Sequence, residues 1–187
     1  MNYIDLPMAH AAKKVAPSFR KLNFTANGIT YGSILFGLNS AFSLYRGDLL
    51  GCVLSYLLSV FLDDLDGIYA RMYRQTSKYG DLLDHYSDWV VHGALTTIVL
   101  IRHFRTIRWP IVLLFLLVFL STTIYAGACE KYNGADNESL GFLRNLFPTK
   151  RSSEKWLTIT RPVGYWGFYI VFIGIIAYLE LKPPIHK

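Results

Sequence analysis

Asp63, Asp66, Asp84 and Asp88 stand beside long apolar runs in this chain. An ionisable side chain at membrane depth costs at least roughly 2–3 kcal/mol, so a group of them calls for a cation or a water-filled cavity. Their spacing is helical. Asp63, Asp66 and Ala70 lie at i, i+3 and i+7 on one helix face, and Gly80, Asp84 and Asp88 lie at i, i+4 and i+8 on another. Two such helices point four carboxylates at one another across a groove of small residues. Carboxylate oxygens are ligands for hard divalent cations such as Mg²⁺, Mn²⁺ or Ca²⁺. No histidine–cysteine pattern competes for zinc, since His85 and His92 are seven apart and the other histidines are scattered. Four carboxylates can hold one or two such ions, and a bridged pair clamps a phosphoryl group for in-line displacement. Gly67, Ala70 and Gly80 leave room for a substrate to approach.

The elements that carry these residues are apolar helices. Phe24 to Tyr45 is the first expected span, with Gly28, Gly32 and Gly37 allowing close helix approach. Leu49 to Leu62 runs without a break into the first aspartates, and the third span begins near Gly80 and continues to Ile101. A short polar connection, Met72 to Tyr79, places the two acidic groups at one membrane depth on antiparallel helices. Trp109 to Ala128 and Val163 to Leu179 are the fourth and fifth spans. Glu130 to Arg161 is the longest polar stretch, within which Leu140 to Phe147 is expected to form a short amphipathic turn. A sixth span would have to come from this region. Residues 1–22 read as an interfacial, partly amphipathic basic segment interrupted by Pro7 and Pro17, and residues 23–187 as one transmembrane domain.

Composition agrees with this all-α polytopic bundle. Of 187 residues, 52% are hydrophobic and 16% aromatic, gathered in long runs. The formal charge of +6 points to anionic headgroups or a phosphorylated substrate rather than nucleic acid. Cys52 and Cys129 lack metal or redox spacing and are expected to pack. With five spans and a cytoplasmic N-terminus, basic residues on the cytoplasmic side (among them Lys13, Lys14, Arg71, Arg74, Lys150 and Arg151) outnumber those opposite. The aspartates then face the cytoplasm.

The row D-x2-D-G-x2-A-R-x8-G-x3-D-x3-D, met by Asp63, Asp66, Gly67, Ala70, Arg71, Gly80, Asp84 and Asp88, resembles the signature of the CDP-alcohol phosphotransferases, class I. Asn27-Gly-Ile-Thr30 is similar to the N-x-x-T of that family's first helix. The resemblance implies an enzyme moving a phosphatidyl or phosphoalcohol group from a CDP-linked donor to an alcohol, with release of CMP. It implies Asp63, Asp66 and Asp84 as main metal ligands, with two Mg²⁺ or Mn²⁺ ions. Asp88 would be the general base, also able to touch an ion. Gly67, Ala70 and Gly80 would line the cytidine diphosphate, with Arg71 holding phosphates or aspartates. Asn27 and Thr30 would belong to the same nucleotide-binding set. A homodimer is what the family suggests. The division of labour has a physical basis, because a carboxylate neutralised by cations is a poor base and proton abstraction falls to the less committed one.

The leading expectation is transfer of a phosphatidyl group from CDP-diacylglycerol to a small polar alcohol. The alternative within the class uses CDP-choline or CDP-ethanolamine with diacylglycerol as acceptor. From another class, the aspartates could line a cation pathway in a transporter, which leaves Gly67, Ala70 and Gly80 unexplained. His85 beside Asp84 matches the D-H-x-x-D form of choline and ethanolamine phosphotransferases, or serves to orient Asp84. Asp64 and Asp81 lie off the two stripes and read as solvated or capping. Arg144, Lys150, Arg151, Lys155 and Arg161 form either a headgroup-binding face or a pocket for a phosphorylated acceptor.

Overall fold

A computed structural model describes residues 5–133, 145–160 and 164–181. Among them every regular element is a helix: α1 (Asp5–Lys21), α2 (Ala26–Tyr45), α3 (Leu49–Met72), α4 (Lys78–His103), α5 (Trp109–Asn133), α6 (Lys150–Thr160) and α7 (Gly164–Leu181). They fall into two compact units. One is built from Pro7–Thr106 with Ala177–Lys187, the other from Met1–Leu6 with Ile107–Ile176, as far as these are described.

The first unit carries the acidic residues. Three of its helices open on the same local device, a capping side chain followed three residues later by glycine. Thr25 accepts from Gly28 N at 3.1 Å, Asp48 from Gly51 N at 2.9 Å and Ser77 from Gly80 N at 3.0 Å, each satisfying one amide that the first helical turn leaves without a partner. The α2–α3 connection turns on Gly47, whose φ of 77° lies in the left-handed region. α2 packs along both α3 and α4, which themselves stand further apart across the aspartates. The α2–α4 approach is closest at Gly37, where an added Cβ would run into Val91 and come within 3.0 Å of Ser59 Oγ.

The interior of this unit is unusually polar and its exterior unusually apolar. Thr30, Ser33, Ser40, Ser59, Asp66 and Ser87 are buried, while Leu35, Phe42, Leu50, Leu54, Trp89 and Ile101 are exposed. Buried hydroxyls are satisfied by carbonyls, as in Ser59 Oγ to Ser33 O at 2.8 Å and Ser40 Oγ to Cys52 O at 2.8 Å. Large exposed apolar surface of this extent marks a face meant for lipid or protein. Among the described residues, two stretches suffice by length and hydropathy to cross a membrane: Trp109–Cys129 and Lys150–Leu181, the latter running over residues 161–163, which lie outside the description. α2, α3 and α4 do not reach that mark, because their inward polar residues dilute an apolar outer face.

α1 departs from the expected interruption at its prolines. It runs as one helix through Pro17, and its Ala9, Ala12 and Ala16 are buried with Ile29, Leu62, Leu65 and Tyr69 in a core cluster. Small side chains at i, i+3 and i+7 make a flat stripe that fits this cluster, and packing of that stripe offsets the amide hydrogen bond lost at Pro17.

In the second unit α5 packs on α6, and Phe115, Phe119, Phe168 and Phe172 form an aromatic cluster between α5 and α7. The expected turn over Leu140 to Phe147, Arg144, Arg161, Pro162 and the closing Pro183–Pro184 lie wholly or largely outside the described residues. Neither Cys52 nor Cys129 is in a disulfide.

Candidate active site

The N-terminal half of α2, the C-terminal half of α3 and the first three turns of α4 meet at one end of the first unit. A short tether sets their register. Tyr69 OH donates to Phe24 O at 2.6 Å, and Ala26 N donates to Gln75 Oε1 at 2.8 Å, so the α3–α4 loop holds the start of α2. Arg74, next to Gln75, takes a left-handed backbone with φ of 54° to make that turn.

Within this frame Asp63, Asp66 and Asp84 each bring a carboxylate oxygen within 4.8 Å of the other two. Like charges this close repel strongly in a partly desolvated site. Asp66 is 4% exposed. Its Oδ2 is buried and has no hydrogen-bond partner, although Thr30 and the Gly67 N–H lie within reach of the same carboxylate. A buried carboxylate oxygen without a partner is costly, and here it belongs to a cluster of three carboxylates. That chemistry fits a hard divalent cation. Ser87 supports the group from beneath, donating to Asp84 O at 2.7 Å and lying 3.4 Å from Asp63 Oδ1.

Asp88 stands outside the cluster of three. Its side chain is 48% exposed, against 41% for Asp84, so exposure rises from Asp66 outward. It is accompanied by His92, whose Nδ1 lies 2.8 Å from Asp88 O and 3.7 Å from Asp88 Oδ1. His85 sits beside Asp84, with Nδ1 3.9 Å from Asp84 Oδ2, yet its hydrogen bond goes to Asp81 O at 2.8 Å.

The remaining expected residues gather at the same end. A Cβ on Gly80 would meet Asn27 Oδ1 at 3.1 Å, so α2 and α4 approach each other through the glycine. Thr30 is buried one turn further along α2, its hydroxyl donating to Ala26 O at 3.2 Å. The open side of Gly67 is faced by Arg71, whose Nη1 is 3.5 Å from the position of an added Cβ. Ala70 is half-buried on the same helix. Sequence reasoning missed Tyr69, Gln75, Ser87 and Tyr56. These act through hydrogen bonds between elements far apart in sequence, for which no local pattern exists.

The family model for CDP-alcohol phosphatidyltransferase matches residues 23–177. The chain belongs to this family. A bifunctional IPC transferase and DIPP synthase of Aquifex aeolicus is 36% identical over 170 residues, covering 87% of this chain and 38% of that protein. The protein of the same description from Thermococcus kodakarensis is 31% identical over 140 residues, covering 72% and 31%. The chain therefore spans about a third of the length of these curated relatives. No solved structure matches it. For a CDP-alcohol phosphatidyltransferase family member, the clustered carboxylates of α3 and α4 are the natural candidates for a metal centre, and the unpartnered Oδ2 of Asp66 agrees with that role.

Proposed function

We propose that this protein is an integral-membrane, divalent-metal-dependent transferase. It would move a phosphatidyl group from CDP-diacylglycerol to a small polar alcohol and release CMP on the cytoplasmic side. The observation that carries the reading is the convergence of Asp63, Asp66 and Asp84 within 4.8 Å, with the more exposed Asp88 one turn beyond. The polar interior and apolar exterior of α2 to α4 support placing this unit in a bilayer with five spans in all.

Asp63, Asp66 and Asp84 would hold two Mg²⁺ or Mn²⁺ ions. When bound, these would neutralise the donor diphosphate and the charge that develops on departing CMP. The protein's own residues do the rest. Gly67, Ala70 and Gly80 leave space for the cytidine diphosphate, Asn27 and Thr30 border it from α2, and Arg71 offers a guanidinium to phosphate oxygens. Asp88, outside the cluster, accepts the proton of the acceptor hydroxyl, whose oxygen then attacks the phosphorus bearing the lipid. Positioning of the hydroxyl against the donor contributes as much as basicity. Lys150, Arg151 and Lys155 are exposed on α6 and suit anionic headgroups.

The test is CMP release from labelled CDP-diacylglycerol with Mg²⁺ or Mn²⁺ and a panel of acceptor alcohols, run beside CDP-choline and CDP-ethanolamine with diacylglycerol. Release from CDP-diacylglycerol with one acceptor is expected. Release only from the soluble CDP-alcohols would reassign the donor, and no CMP from any donor would refute the enzyme reading.

A further inference from the structure

Beneath the carboxylates, on the side of Asp88, lies a polar pair that the chemistry above does not use. Tyr56 is on α3, seven residues before Asp63 and so on the same face. His92 is on α4, four residues after Asp88 and on the stripe of Asp84 and Asp88. The Tyr56 hydroxyl and His92 Nε2 are 2.9 Å apart, and the rings meet edge to face with centroids 5.9 Å apart. Tyr56 is 1% exposed. A buried phenol and a part-buried imidazole joined across two helices that otherwise stand apart form a specific strut, since each polar atom would be costly without a partner.

The direction of the hydrogen bonds follows from the acceptors. The Asp88 carbonyl can only accept, so His92 Nδ1 carries a hydrogen; in the neutral imidazole Nε2 is then the acceptor for the Tyr56 hydroxyl. The donors thus run in one direction, from Tyr56 through the imidazole to Asp88. His92 Nδ1 also lies 3.7 Å from Asp88 Oδ1, too far for a hydrogen bond but close enough for the imidazole dipole to act on the carboxylate. We propose that His92, held by Tyr56, is a positioning residue for Asp88: it fixes the carboxylate so that Oδ1 faces the imidazole and Oδ2 is presented to the acceptor hydroxyl. This rests on Asp88 being the base of the proposed reaction. A base oriented by a third group is a recurrent requirement of proton transfer, because a carboxylate free to rotate spends most of its time misaligned.

The experiment compares wild type with Tyr56→Phe, His92→Phe and His92→Asn in CMP release. CDP-diacylglycerol binding and thermal denaturation are measured on the same preparations. Loss of an orienting partner costs roughly 10- to 100-fold at comparable sites. His92→Phe is expected to lower kcat in that range, with the donor KM and donor binding within twofold of wild type. His92→Asn, which keeps an N–H near the place of Nδ1, is expected to recover at least fivefold over His92→Phe. Tyr56→Phe, a single-atom change that leaves packing intact, is expected to lower kcat by severalfold with no shift in donor binding, and it decides the question if His92→Phe does not fold. Wild-type kcat in His92→Phe or Tyr56→Phe would overturn the proposal. So would parallel loss of donor binding and thermal stability in all variants with Asn no better than Phe, which is the mark of a purely structural strut. A wild type that releases no CMP refutes the functional reading and this inference with it, whereas an active wild type with unaffected variants refutes this inference alone.

Discussion

Asp66→Asn is expected to move stability in opposite directions with and without metal. Oxygens of Asp63, Asp66 and Asp84 lie within 4.8 Å of one another. Two unit charges at that distance repel by about 3.5 kcal/mol at an effective dielectric constant of about 20. Asp66 takes part in two of the three pairs, and the substitution removes both. The new amide, placed where Oδ2 has no partner, can also donate to its neighbours. Solvent at the open side, where Asp84 is 41% exposed, screens part of this. The expected gain without metal is therefore about 1–2 kcal/mol, or roughly 2–4 °C in Tm per kcal/mol for a chain of this size. With metal the sign reverses. At a free Mn²⁺ concentration of about 100 Kd, binding stabilises the wild type by about 2.7 kcal/mol; a variant binding roughly 100-fold more weakly retains about 0.4 kcal/mol. The assay is thermal denaturation of detergent-purified protein in chelator and in a Mn²⁺ series. A variant less stable than wild type in chelator, with the full metal-induced shift preserved, would refute both the repulsion and the metal centre.

Three further outcomes follow from the packing. Gly37→Ala is expected to cost about 1–3 kcal/mol by overpacking against Val91, and Gly37→Ala with Val91→Ala to regain most of it, read as Tm in a double-mutant cycle. Gly80→Ala, whose Cβ would press on Asn27 Oδ1 at 3.1 Å, is expected to raise the KM for the CDP donor by severalfold with a smaller change in kcat. Arg102 makes a two-pronged contact with Glu180 at 2.8 and 2.9 Å, and His103 reaches the same carboxylate at 2.7 Å. Arg102→Leu is therefore expected to lose about 1–3 kcal/mol of stability while leaving Mn²⁺ affinity within twofold.

The acidic stripes were legible in the sequence because helical spacing alone puts Asp63 with Asp66 and Asp84 with Asp88 on shared faces. Joining the two stripes needed only a short connection, and Tyr73 to Ser77 supplies it. What spacing could not show was the middle layer. Tyr56 and His92 are 36 residues apart, and Gln75 reaches Ala26 across 49, so their pairing exists only once α2, α3 and α4 are packed. α6 was read as part of a polar stretch because its basic and hydroxyl residues obscure a helical period that packing on α5 makes use of. The continuous α1 runs against the usual effect of an internal proline, for the alanine stripe that holds it becomes visible only against Leu62 and Leu65. α2 to α4 fall short of the length-and-hydropathy mark for a related reason: inward serines and aspartates share these helices with an apolar outer face.

The measurement that bears most directly on the central claim is Asp88→Asn assayed for two properties on one preparation, metal-dependent binding of CDP-diacylglycerol and CMP release in the presence of acceptor. If three aspartates hold the metal centre and Asp88 takes the acceptor proton, binding stays within severalfold of wild type and turnover falls by roughly 100-fold or more. Near-normal turnover in Asp88→Asn would contradict the account.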